Sequence, residues 1–135
     1  MQSHPYLRAY MAGITIPTLF LLVVVTAFTI FRLTSHLAAP IERVIIFPMA
    51  AVPNAWGVWN MLYVWLLPRR WLPIGMHGAI LPFLLAPVGV LLAHATEIGF
   101  VTPGRAAAGF PIGLIVYYLV WKHLVGFLNR LVGVS

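Results

Sequence analysis

Cysteine is absent from this chain, and so is aspartate. The first absence excludes disulfides, thiol nucleophiles and cysteine-ligated zinc or iron–sulfur centres. The second leaves Glu42 and Glu97 as the only carboxylate side chains. Any triad or acid–base pair would have to be built on one of them. The serines, Ser3, Ser35 and Ser135, fall at the chain ends or in a polar link, which argues against serine acyl transfer. No dinucleotide or phosphate-binding glycine motif is present, nor a nucleophile elbow, nor a paired-histidine metalloprotease helix. Charge is scarce altogether. Only 7% of residues are charged, against about 25% in an ordinary soluble domain.

What is abundant is apolar surface, at 62% of the residues in a chain of 135. A soluble domain of that size has too little interior to hide so much, whereas a bilayer accepts it as solvent. Eight Lys or Arg oppose two Glu, for a net charge of +6. The cations flank the apolar runs and form no basic stripe, so they fit lipid headgroups and argue against nucleic acid.

The fold class expected is all-α, a polytopic membrane protein of one domain over residues 1–135 with four transmembrane helices. The spans fall at roughly 5–31, 41–67, 74–96 and 107–131. About 20 apolar residues cross the hydrocarbon as a helix, which overrides the β-branched character of the first run. That run is too long for a signal-peptide core and is expected to be retained. Ser3 and Pro5 suit its start, and Pro17 sits inside it. The second span carries Pro48 and Pro53, the third Pro82 and Pro87, so both are expected to kink. For the second, a partial segment followed by a helix capped by Asn54 is the other reading. Pro103-Gly104 reads as a turn before the last span. Gly75, Gly78, Ala79, Ala86, Gly89 and Ala93 give the third span a small-residue side for close packing, and Gly109 with Gly113 do the same for the fourth. No internal repeat is visible.

With four spans, Arg8, Arg69, Arg70, Lys122 and Arg130 share one side, and Arg32, Arg43 and Arg105 the other. The excess predicts cytoplasmic termini in an inner or plasma membrane.

Polar residues inside hydrocarbon are costly and are the first places to look for function. The intramembrane candidates are Asn54, Asn60, His94, Glu97 and Tyr117. Asn54 and Asn60 are six residues apart, which puts them on different helix faces. His94 and Glu97 are two potential ligands and no more, short of a metal site. Glu97 also suits an ion pair with Arg105 or Arg43 at the membrane edge. His77 and His123 should lie near the same membrane face and could clamp a haem as axial ligands; His36 and His94 fall toward the other. Of Tyr117 and Tyr118, at least one should find a hydrogen-bond partner inside the protein. Trp56 and Trp59 form a patch on the second span, and Trp71 an interface contact. No catalytic residue and no metal site is indicated, and no cofactor is the leading expectation.

Five readings of function follow. The first is transport or a channel, formed by a homo-oligomer because one four-helix chain encloses little space. The second is a non-catalytic accessory or scaffold subunit beside a larger membrane partner. The others are a haem or quinone redox protein, a membrane-embedded lipid-modifying enzyme, and a binder of lipid or another hydrophobic ligand. A structure in which Glu97, His94 and His77 face headgroups or pair at the rim, while the interior is dry and apolar, would favour the second.

Overall fold

The computed structural model describes residues 4–36, 49–69, 72–95 and 102–134. Helix is the only regular structure among them. Helix α1 spans Pro5–Ser35, α2 Val52–Leu66, and α3 Ile74–Ala95. The last rod, α4, runs over Pro103–Leu131. Three of these, α1, α3 and α4, are long and apolar enough to cross a membrane. The shorter α2 is extended by a π turn at 49–51 and a 3-10 turn at Leu67–Arg69.

The ends follow local chemistry. Pro5 occupies the first turn of α1, but its N-cap is His4 in a left-handed conformation without a side-chain bond. The helix runs past Phe31 to His36, again left-handed, so Arg32 belongs to the helix and not to the link. Asn54 does not cap α2, which starts two residues earlier and has no side-chain cap. Pro103-Gly104 is a helix start and not a turn before one. Thr102 is the N-cap, its hydroxyl accepting from Arg105 N at 3.3 Å, and Pro103 fits the first position, where no N–H is needed. At the far end of α4, Gly133 adopts a positive φ of 70°. Its N–H donates to Arg130 O, and Val134 N–H donates to Asn129 O, the reciprocal pattern that closes helices on glycine. α1 continues through Pro17, α3 through Pro82 and Pro87, and α4 through Pro111. Pro48, Trp71, Arg43, Arg70, Glu42 and Glu97 lie outside the described residues, as does Ser3.

Sequential helices pair in opposite directions. Ala9 and Gly13 of α1 face Asn60 and Gly57 of α2. Ile74, Gly75 and Gly78 of α3 face Gly126, Tyr118 and Trp121 of α4. The first and last described residues therefore share one end of the bundle, where Arg8 Nη1 donates to Val132 O at 3.4 Å. The buried core sits toward that end around Trp56, Leu81, Trp121 and Val125.

Small residues make the close approaches possible. A Cβ on Gly13 would lie 2.6 Å from the Trp56 carbonyl oxygen, and one on Gly78 would fall on the Trp121 ring. The expectation for α3 is met at Gly75 and Gly78, both buried. It fails on α4: nothing lies within 4 Å of a Cβ placed on Gly109 or Gly113, and the Pro103–Val120 stretch has no buried residue. A glycine pair permits close packing but does not compel it, and among the described residues no side chain or backbone atom approaches that face.

α4 contains a π turn at Trp121–Val125, in which Gly126 N–H reaches back to Trp121 O. Its effect is rotational. At about 100° per residue, Tyr117 and Asn129 would stand about 120° apart on an unbroken α-helix. One residue absorbed by the π turn reduces that to about 20°. Trp56 and Asn60, one turn apart on α2, are the partners of those two side chains. The π turn thus puts both contacts on one face. Deleting Leu124 should convert the turn to regular α-helix with the register kept, whereas inserting an alanine after Leu124 should swing Asn129 off its partner. Thermal unfolding in detergent micelles, followed by circular dichroism, should show a small change for the deletion and a clear loss for the insertion. Gly78→Ala should cost about 1–3 kcal/mol by overpacking, while Gly113→Ala should be neutral or mildly stabilising.

Candidate functional site

The polar groups inside the bundle concentrate where α1, α2 and α4 meet. Asn60 and Asn129 are both 0% exposed. Asn60 Nδ2 donates to Asn129 Oδ1 at 2.7 Å, and Asn129 Nδ2 donates to Asn60 Oδ1 at 2.9 Å, a closed amide pair. The other hydrogen of Asn60 Nδ2 serves the carbonyl of Ala9 at 2.7 Å. An NH2 group has two hydrogens, so this donor is fully used. Ala9, Ala12 and Gly13 supply the flat surface that lets the carbonyl come so near.

A second clasp joins α2 to α3. Trp59 Nε1 donates to His77 O at 2.8 Å, and His77 Nε2 lies 3.0 Å from Trp59 O. A carbonyl only accepts, so Nε2 carries the proton. The imidazole, 3% exposed, stacks on Trp59 with centroids 4.9 Å apart and meets Tyr63 and Trp121 at 5.3 and 6.0 Å. Trp56 leans the other way. Its Nε1 donates to the Tyr117 hydroxyl at 3.2 Å, and its ring lies 5.3 Å from that of Trp121. Trp121 is wholly buried and its indole N–H finds no acceptor among the described residues, so its contribution is packing against Gly78, Trp56 and His77.

The candidates from sequence are divided by this geometry. Asn60 and Tyr117 are in the junction, each bonded to another helix. His77 joins them. Asn54 is exposed, donates to Ala50 O at 2.8 Å and accepts from the Tyr10 hydroxyl. His94 is exposed near the end of α3, and Glu97 lies outside the described residues. His123 is exposed on the π turn, and His77 has its Nε2 proton on Trp59 O. An imidazole nitrogen that donates to a carbonyl cannot also ligate iron, so this arrangement does not suit a haem held between His77 and His123 through that atom. Among the described residues no group of three or more His or Glu stands together as a metal site would require. Trp56 and Trp59, expected as one patch, serve two different helix contacts.

Asn129, Ala9 and Gly13 were the residues sequence reasoning missed. Asn129 is an amide in the last apolar run, and Ala9 and Gly13 repeat at the four-residue spacing of close helix contacts. Those signals are present in the chain but name no partner.

No family model, curated protein or solved structure matches the chain.

Replacing Asn60 by Leu should leave the Asn129 amide buried without its partner, at a cost of about 1–3 kcal/mol. Asn60→Leu with Asn129→Leu should recover part of that loss, with a coupling of about 0.6–1.7 kcal/mol, the range for hydrogen bonds between membrane helices. A double-mutant cycle on unfolding in mixed micelles measures it.

Proposed function

We propose that this chain is a non-catalytic helix-packing subunit that scaffolds a larger membrane assembly. The observation that carries the reading is the commitment of Asn60, Asn129, His77 and Tyr117 to bonds between helices. Asn60, His77 and Asn129 are the buried polar residues among those described, and a path for ions or a pair of groups for proton transfer would need such residues turned toward a solute. The faces left over are apolar. Leu19, Phe20, Leu22 and Val23 of α1 are exposed, as are Ile112, Ile115, Val116 and Leu119 of α4. They suit lipid or the helices of a partner.

In this reading all four helices cross the bilayer. Helical conformation is continuous over residues 49–69, which at about 1.5 Å per residue reaches roughly 30 Å, the hydrocarbon thickness. Pro53, Pro82 and Pro87 bend the second and third helices by freeing carbonyls one turn back. The termini face the cytoplasm, on the side with more Lys and Arg, in an inner or plasma membrane.

The absence of cysteine makes the test clean. A single Ile112→Cys, on the exposed face of α4, is cross-linked in native membranes and read by mass. A product heavier than the chain by a different polypeptide is expected. A product of twice the chain's mass would favour the homo-oligomeric transport reading instead. Solute flux through proteoliposomes of the purified chain, lost on Glu97→Gln, would overturn the scaffold.

A further inference from the structure

The charges of the chain are distributed unevenly along the bundle axis. Arg8 precedes Ala9 of the amide junction, and its guanidinium touches Val132 O. Arg130 follows Asn129. Lys122 flanks the first turn of α3, its Cβ 3.1 Å from where Gly75 would carry one. Arg69 closes the 3-10 turn after α2. All four belong to the end that holds the first and last described residues, and Arg70 adjoins them in sequence. Both acidic residues, Glu42 and Glu97, belong to the segments that join the opposite helix ends. Among the described residues, the end with Arg8, Arg69, Lys122 and Arg130 has no carboxylate side chain.

Two of the cations are positioned by rings. The Arg69 guanidinium carbon sits 4.6 Å from the centroid of Trp65, and Lys122 Nζ sits 5.6 Å from that of Tyr118. Stacking on an aromatic face holds a cation while leaving its N–H donors free for a second partner. Arg69, Lys122 and Arg130 are exposed, and Tyr6, Trp65 and Phe127 are half-exposed beside the same end. Aromatic rings with basic side chains above an apolar shaft match the layered chemistry of a leaflet, with acyl chains below and phosphates above.

We infer that this rim binds anionic phospholipid headgroups, selecting them over zwitterionic ones through Arg69, Lys122 and Arg130. The inference rests on the chain being inserted in a bilayer. It names the lipid class and the leaflet: the rim faces the side richer in anionic lipid. The ring-held cations donate to the phosphate oxygens, and the negative charge of the lipid balances theirs.

The test uses the full chain reconstituted in bilayers. Spin-labelled phosphatidylglycerol and phosphatidylcholine are compared for relative association by electron spin resonance. Phosphatidylglycerol should be favoured by about fivefold, the effect of one basic residue near an anionic surface. The preference should shrink as salt rises. It should fall to parity in R69Q/K122Q/R130Q and persist in R69K/R130K, which keeps charge and guards against misfolding as the cause. Equal association of the two lipids with the unaltered chain overturns the inference, as does a preference that survives in the triple variant. Loss of the preference on adding inorganic phosphate at constant ionic strength overturns it too, by pointing to a site for soluble anions. Extraction at alkaline pH is the separate check: a chain that leaves the membrane defeats the insertion reading, whereas one that stays but shows no lipid preference defeats the rim alone.

Discussion

The amide pair of Asn60 and Asn129, closed against the carbonyl of Ala9, is the interaction on which the bundle depends. Its three members come from three helices, and each atom it uses would be costly to leave unpaired in an apolar surround. Apolar side chains in lipid gain nothing from finding one another, because acyl chains are as apolar as leucine. Direction must come from hydrogen bonds and close backbone contact. The junction supplies both, since the carbonyl can be reached only where Ala9, Ala12 and Gly13 leave room. The π turn of α4 belongs to the same constraint. Without the extra residue, the face that carries Tyr117 to Trp56 would carry Asn129 away from Asn60.

The clasp between Trp59 and His77 extends the logic to α3. Each residue gives a ring N–H to the other's backbone carbonyl, so two side chains that would otherwise need water are satisfied in one contact. Imidazole often acts as acid, base or metal ligand. Here its proton is spent on a carbonyl, between Trp59, Tyr63 and Trp121. His77, a haem-ligand candidate in the sequence, braces α2 against α3 in the fold. The bundle is consequently polar and aromatic at one end, while the first half of α4 and the second half of α1 present apolar side chains outward. The uneven distribution of packing and that of charge coincide, since the end with the buried amides also bears Arg8, Arg69, Lys122 and Arg130.

Much of the architecture was legible in the residues. Apolar runs of about 20 residues, broken by links with prolines and arginines, are enough to place helices, because a bilayer admits no backbone polar group without a partner and a helix satisfies its own. Of the boundaries, the start of α3 at Ile74 falls where the third apolar run begins, for that reason. Those of α1 and α4 were read short. Ser35 and Arg32 are polar but can extend a helix beyond the hydrocarbon, and Pro103 with Gly104 fits a first helical turn as well as a loop. Asn60, Tyr117 and His77 stood out as polar groups in apolar surroundings, which is a property of one residue and its neighbours in sequence.

The partners of those residues were decided only by the tertiary structure. Whether Asn60 meets Asn129 depends on the crossing of α2 over α4 and on a π turn that no local pattern announces. Gly78 and Gly113 are alike in sequence, each a glycine in an apolar helix, yet one receives the Trp121 ring and the other meets none of the described residues. The sequence by itself determined that the chain is helical, apolar and suited to a membrane, because hydropathy and backbone satisfaction act residue by residue along each span. Which polar groups are spent on holding helices together was settled only in three dimensions, because a hydrogen bond between helices requires two distant segments to meet at about 3 Å.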